Sequence, residues 1–131
     1  MSLNSVNTLV IGIGSNCGDR GKNIAEAVDW LNAHFSDVRV SDIYETPEWS
    51  GRFAPYLNGV VSAGTTLSLD AATGMLKGYE RSAGRTPESK VTGEVPVDLD
   101  IVVFNGDILR PVDMTREYFL RGYRQLQGFS V

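Results

Sequence analysis

The run Val97-Asp98-Leu99-Asp100-Ile101-Val102-Val103-Phe104 constrains the fold more than any other stretch of the chain. β-Branched and aromatic residues dominate it, and an extended strand sends successive side chains to opposite faces. Asp98 and Asp100 then share one face, while Val97, Leu99, Ile101 and Val103 share the other. Such a segment needs a core on one side and a compensating environment on the other. Neighbouring carboxylates repel, so a metal, basic groups or water must offset them. Octahedral Mg²⁺ takes one or two carboxylates and completes its shell with water and substrate phosphates, which points to phosphate chemistry. On spacing alone, a pair of acids lining the wet face of an edge strand is an equal reading.

The order of the other segments supplies the rest of the architecture. Thr8 to Ile13 reads as a buried first strand that stops at Gly14-Ser15-Asn16. From Asn23 to Phe35, the apolar residues Ile24, Ala27, Val28, Leu31 and Phe35 recur at helical spacing. Val38 to Thr46 alternates as a second strand and ends at Pro47, which cannot continue a ladder. Glu48 to Pro55, with Trp49, Gly51 and Phe53, is an irregular aromatic loop. Tyr56 to Thr66 forms a third strand, and Ser68 or Asp70 caps a second helix that runs to about Ala83 and stops at Gly84. Arg85 to Val95, with Pro87 and Gly93, is a polar mobile loop before the acidic strand. Asn105-Gly106 turns into a short partner strand around Ile108. Strand, helix, strand, strand, helix, strand is the β-α-β-β-α-β order of a ferredoxin-like α+β sandwich, here with a mostly antiparallel sheet and a short additional hairpin. Met114 to Val131 carries Tyr118, Phe119, Leu120 and Tyr123 but receives no assigned element.

A chain of 131 residues suits a single domain, residues 1–131. One cysteine, Cys17, leaves no internal disulfide and fits a reducing compartment. No apolar run approaches the ~20 residues of a membrane span, and Met1 to Asn7 is polar and unlike a secretion signal, so a cytoplasmic protein without a membrane partner is expected. The net charge of −4 argues against nucleic acid as partner. His34, the only histidine, reads as a helix-end surface residue, and zinc has no ligand set here. The glycine-rich run Gly12 to Asp19 fits neither a Walker loop nor a dinucleotide fingerprint. It reads as a tight turn in which Asp19 caps the next helix and Ser15 and Asn16 bond local backbone. Tyr44-Glu45-Thr46-Pro47 and Tyr56-Leu57-Asn58 offer ring faces and an amide that suit a flat heterocycle, or equally an ordinary core and rim.

Taken in order, Ile11-Gly12-Ile13-Gly14-Ser15-Asn16, Gly18-Asp19-Arg20 with Asn23-Ile24, Tyr44-Glu45-Thr46-Pro47, Tyr56-Leu57-Asn58, Glu80 with Gly84-Arg85, and Asp98-Leu99-Asp100 resemble the hydroxymethyldihydropterin pyrophosphokinases. The resemblance implies transfer of pyrophosphate from ATP to a dihydropterin alcohol in folate biosynthesis, with AMP leaving. It implies two Mg²⁺ ions held with ATP by Asp98 and Asp100, and catalytic roles for those acids with Arg85 and Arg121. The pterin would lie between Tyr56 and Tyr123, with Thr46, Pro47 and Asn58 along its edge. Glu80, Ile101, Arg110 and Arg121 would serve the nucleotide. In that family the loop before the acidic strand carries several arginines and usually a tryptophan. Here it holds Arg85 and Lys90, with Pro87, Glu88, Thr92 and two valines, Val91 and Val95, at positions expected to face the phosphates. The segment before Arg121 is shorter and lacks the family's histidine, and the resemblance is C-terminally short. A catalytically weak or inactive pterin-binding protein of the same fold is the alternative.

Overall fold

Leu9, Ile11 and Ile13 alternate along a strand with a neighbour on each edge, and the sheet grows outward from it. The computed structural model describes residues 6–128. β1 (Asn7–Ser15) pairs antiparallel with β4 (Tyr56–Thr65) on one side and β5 (Asp98–Phe104) on the other. Both β2 (Ser36–Val40) and β3 (Tyr44–Thr46) pair with β4, and β6 (Asp107–Ile108) closes the far edge on β5. The order β2-β4-β1-β5-β6 with helices after β1 and β4 is the expected ferredoxin-like sandwich, and each of these pairings is antiparallel. Asn105 and Gly106 both take positive φ, 49° and 83°, which makes the turn between β5 and β6 the expected hairpin.

α1 (Arg20–His34) and α2 (Leu69–Ser82) cover one face of the sheet through Ile24, Ala27, Leu31, Ala72 and Leu76 against Leu9, Ile11, Ile13, Leu99 and Ile101. Asp19 caps α1 by accepting from the Lys22 N–H, as expected, and Ser68 rather than Asp70 caps α2 by accepting from Ala71 N–H. His34 lies exposed on α1, stacked on Trp30. No helix among the described residues is long and apolar enough to cross a membrane. Met1–Ser5, part of the polar N-terminal reading, lie outside the described residues, as do residues 129–131.

Four expectations change. β1 does not stop at Ile13: Gly14 and Ser15 stay in the ladder, since Gly14 faces Asn58 on one neighbour and Asp98 on the other. The second strand splits at Ser41, whose hydroxyl accepts the Val60 N–H at 2.9 Å in place of a backbone carbonyl. Val103 does not share a face with Leu99 and Ile101. Val102 is an extra residue between the pairs Val10–Val103 and Ile11–Ile101, so Val102 and Val103 both pack on the opposite face with Val60 and Phe119. Finally, the unassigned C-terminal stretch holds a 3₁₀ turn (Asp113–Thr115) and a helix, α4 (Glu117–Leu126), that lies on that second face.

α4 docks through a glycine and a tyrosine hydroxyl. Tyr44 Oη donates to the Tyr118 carbonyl at 2.8 Å and accepts from the Gly122 N–H at 3.1 Å, which ties β3 to the helix backbone. A Cβ on Gly122 would stand 2.7 Å from Ser41 Oγ and 3.0 Å from Val60 Cβ. Gly122→Ala is therefore expected to lower stability by about 1–3 kcal/mol, the usual cost of overpacking, and a urea titration followed by circular dichroism measures it.

Candidate active site

The site is built on two missing side chains. Gly12 and Gly14 of β1 face the same side of the sheet as Asp98 and Asp100, their ladder partners on β5, and Gly14 also faces Asn58 on β4. A Cβ at Gly14 would lie 3.0 Å from Asn58 Oδ1 and 3.2 Å from Tyr56 Cδ1, so glycine here lets the amide and the ring settle onto the sheet. Above this floor opens a cleft of about 270 Å³, lined by Thr46, Pro47, Glu48, Trp49, Tyr56, Asn58, Asp98, Asp100, Arg110, Asp113 and Tyr118. Asn58 donates through Nδ2 to Thr46 Oγ1, which holds the amide in place across the β3–β4 pair.

At the outer edge of β5, α2 supplies what a further strand would. Glu80 Oε2 accepts the Leu99 N–H at 2.7 Å, and Lys77 Nζ donates to the Leu99 carbonyl at 3.0 Å. The same ammonium reaches Asp100 Oδ1 at 3.0 Å and Glu80 Oε2 at 3.1 Å. Lys77 and Glu80 stand three residues apart on a helix, so both project toward one edge. Gly84, at φ 107°, turns the chain back so that Arg85 donates to Asp98 Oδ1 at 2.7 Å and lies 3.4 Å from Glu80 Oε1. From the other side, Arg110 donates through Nε to Asp113 Oδ2 at 2.6 Å, with its Nη1 3.9 Å from Asp100 Oδ1. Tyr118 donates its hydroxyl to Asp113 Oδ1 at 2.8 Å.

Charge within the site is unevenly held. Burial and then the neighbouring Asp100 push the Asp98 carboxyl well above the usual range. For Asp100 burial acts upward too, but its hydrogen bond with Asp98 and the nearby Lys77 and Arg110 outweigh it and bring the group down. Burial alone would lower Lys77, yet Asp100 and Glu80 hold its ammonium above the ordinary value. Tyr56 is pushed up to about 12 by burial and by Asp98, and Tyr118 to about 12 by burial and its bond to Asp113, so both rings stay neutral phenols. Glu80, Asp98 and Asp100 each present an oxygen within 4.8 Å of the others. An all-carboxylate oxygen set suits a hard divalent cation such as Mg²⁺.

The cleft brings together Thr46, Pro47, Tyr56, Asn58, Asp98, Asp100 and Arg110, and the acid edge adds Glu80 and Arg85. Three expected residues stand elsewhere. Tyr123 stacks on Phe119 with ring centres 5.4 Å apart and lines a different hollow beside Val10 and Val103; Tyr118, about one turn earlier, faces the cleft instead. Arg121 is exposed and lies over the Tyr44 ring at 4.6 Å, and among the described residues it forms no ion pair with the acids. The Ile101 side chain is buried in the core between sheet and helices, leaving only backbone for a nucleotide at the outer edge of β5. Sequence reading missed Lys77, Asp113 and Tyr118. The i, i+3 spacing of Lys77 with Glu80 and of Arg110 with Asp113 was the available signal.

The loop before β5 is less free than its composition suggests. It contains a short helical turn, α3 (Ser89–Thr92), and its end is stapled to β1 by Asn16. Asn16 accepts from the Val95 N–H at 2.7 Å, donates to the carbonyls of Gly93 at 2.7 Å and Ala54 at 3.3 Å, and its own N–H reaches Val95 O at 3.0 Å. These bonds run to distant segments and not to local backbone as expected of the glycine-rich run, although Ser15 does accept from nearby Asn23. Val95 is only 6% exposed, so it faces the core and not the phosphates, whereas Val91 is fully outside. Asn16→Ala should leave the Val95 amide unpaired, cost about 1–3 kcal/mol, and raise its hydrogen-exchange rate at least tenfold while the α1 amides stay protected.

A family model described as 7,8-dihydro-6-hydroxymethylpterin-pyrophosphokinase matches residues 10–127. The chain is 30% identical over 104 residues to the 2-amino-4-hydroxy-6-hydroxymethyldihydropteridine pyrophosphokinase of Aquifex aeolicus (strain VF5), covering 79% of this chain and 64% of that protein. It is 36% identical over 102 residues to the protein of the same name from Bacillus subtilis (strain 168), covering 76% of this chain and 60% of that one. A folate synthesis bifunctional protein, mitochondrial, of Pisum sativum is 35% identical over 98 residues, 73% of this chain and 19% of its own length. The match thus spans under two thirds of the bacterial relatives.

Proposed function

Because this chain belongs to the 7,8-dihydro-6-hydroxymethylpterin-pyrophosphokinase family, we propose that it transfers pyrophosphate from ATP to the hydroxymethyl group of 6-hydroxymethyl-7,8-dihydropterin in folate biosynthesis, releasing AMP. The observation that carries this reading is that one cleft joins a heterocycle-sized aromatic site to the acid pair: Tyr56, Tyr118 and Asn58 line it together with Asp98 and Asp100. A pterin ring stacked between Tyr56 and Tyr118 would put its edge against Asn58 and Thr46. Since Asn58 Nδ2 is bonded to Thr46, its Oδ1 is left to accept from a ring N–H. The hydroxymethyl arm then points toward the acids.

Asp98 and Asp100 are the residues that would hold Mg²⁺ with ATP, and the bound metal would neutralise and orient the phosphates. The chain's own groups do the rest by position and charge. The hydroxymethyl oxygen attacks the β-phosphorus, the bond from that phosphorus to the α–β bridging oxygen breaks, AMP leaves on the opposite side, and the hydroxyl proton passes to solvent. Arg110, fixed by Asp113, is the cation aimed across Asp100, and Arg85 stands at Asp98. Cys17, half-buried and unbridged, is compatible with work in a reducing cytoplasm.

One observation favours the weaker, ligand-binding version of the same reading. Arg85 is already engaged by Asp98 and Glu80, and the loop before β5 adds only one further cation, Lys90 of α3. Loss of a single preorganised donor typically costs about 10²–10³ in rate. AMP release from MgATP with the dihydropterin alcohol decides between the two. Turnover that falls about 10²-fold or more in Asp98→Asn or Asp100→Asn supports the enzyme; tight pterin binding without AMP supports the binder; no pterin binding in the presence of a nucleotide analogue overturns both.

The aromatic assignment has its own check. Tyr56→Ala and Tyr118→Ala should each weaken pterin binding severalfold, in line with about 0.5–1.5 kcal/mol for a stacked pair beyond area burial, and Tyr123→Ala should leave it unchanged in calorimetry.

A further inference from the structure

The family resemblance brings two divalent ions to the acid pair, but this chain has already spent part of that pair on cations of its own. Asp98 Oδ1 holds Arg85 and Asp100 Oδ1 holds Lys77, so each aspartate keeps a single oxygen clear of a fixed cation. Glu80, the third carboxylate of the group, is also committed. Its Oε2 takes both the Leu99 N–H and Lys77, and its Oε1 faces Arg85. What remains is one oxygen from each aspartate, which is the ligand complement of one ion and not of two.

The two cations differ in how firmly they are held. A guanidinium has five N–H donors on a long stem, and Arg85 can turn some of them to a phosphate while keeping Asp98. An ammonium has three, and Lys77 uses all of them: the Leu99 carbonyl, Asp100 and Glu80, each within 3.1 Å. Moving it away would strip the backbone carbonyl of its partner and leave Glu80, only 4% exposed, with its charge less compensated. A second divalent ion on the Glu80 side of Asp100 would have to sit beside an ammonium that cannot leave without opening the edge of β5.

We propose that Lys77 is the resident cation of this site, standing in for one of the two divalent ions, so that the chain binds a single exchangeable divalent ion together with its nucleotide. This rests on the reading of the acid pair as the metal and ATP site. Lys77 is then a positioning residue whose charge arrives with the fold and is independent of metal concentration.

Manganese binding, read from the electron paramagnetic resonance signal of free Mn²⁺, tests this on the full chain and on Lys77→Gln. With a non-hydrolysable methylene-bridged ATP analogue, the wild type should hold one protein-bound Mn²⁺ per bound analogue and Lys77→Gln two. With Mn²⁺ alone, Lys77→Gln should bind at least tenfold more tightly than the wild type, because the acids lose their counter-charge. Two Mn²⁺ ions per analogue in the wild type would overturn the proposal, and that measurement stands even where the variant fails to fold. Equal Mn²⁺ affinity of wild type and folded variant without nucleotide would also overturn it. Failure of the analogue to bind either protein would count against the pyrophosphokinase reading, while the nucleotide-free comparison still decides the role of Lys77.

Discussion

The pairing of the Leu99 peptide with Glu80 and Lys77 is the interaction on which the rest of the site depends. Between Asp98 and Ile101, β5 has β1 on one side and, among the described residues, no strand on the other, because β6 pairs only with Val103 and Phe104. An open strand edge beside a buried core leaves an N–H and a carbonyl in need of partners. α2 provides them with a carboxylate and an ammonium, and hydrogen bonds to charged groups contribute about 1.5–3 kcal/mol each. The same two side chains then define one wall of the acid cluster. Edge protection and charge placement are a single structural act here, which is why neither residue can be exchanged without touching both.

On the opposite face, Gly14 leaves room for Tyr56 and Asn58, whereas Gly12 lies under Phe119 of α4, whose Cδ1 is 3.6 Å from where a Cβ would stand. Phe119 and Gly122 bring α4 down onto Ser41 and onto Val60, two residues along β4 from the Asn58 that faces Gly14. Tyr44 links that docking to the cleft: it belongs to β3, next to Thr46, and its hydroxyl is bound into the backbone of α4. Tyr118 at the start of α4 thereby lines the same cleft as Tyr56, and Asp113, just before the helix, carries Arg110 to the acids. Asn16 couples the remaining edges. Its amide joins the end of β1 to the loop containing Ala54 and to the loop ending at Val95, and the Phe53 ring rests on Gly93 between them. The loop before β5 is therefore pinned to the end of β1 near Val95.

The chain's own repeating patterns determined its strands, both long helices and the acid pair. Period-two alternation, helical spacing and the residues at caps and turns are local properties, and local sterics and hydrogen bonding are enough to select them. Asp98 and Asp100 share a face for the same reason, and the Asn105-Gly106 turn has the conformation its residues prefer. What only the tertiary structure decided are the features that depend on neighbours distant in the chain. Gly12 and Gly14 look like a turn until β4 and β5 flank them. Val102 shifts the alternation because the match to β1 slips by one residue there. α4 went unassigned although Tyr118, Phe119, Tyr123 and Leu126 recur at helical spacing on its packed face, and Tyr118 lines the cleft where Tyr123 was expected. Lys77 drew no assignment from the sequence. It becomes part of the site only when folding sets it 3.0 Å from Asp100, 23 positions later in the chain, because charge complementarity across a sheet edge is a property of the packed molecule and not of either segment alone.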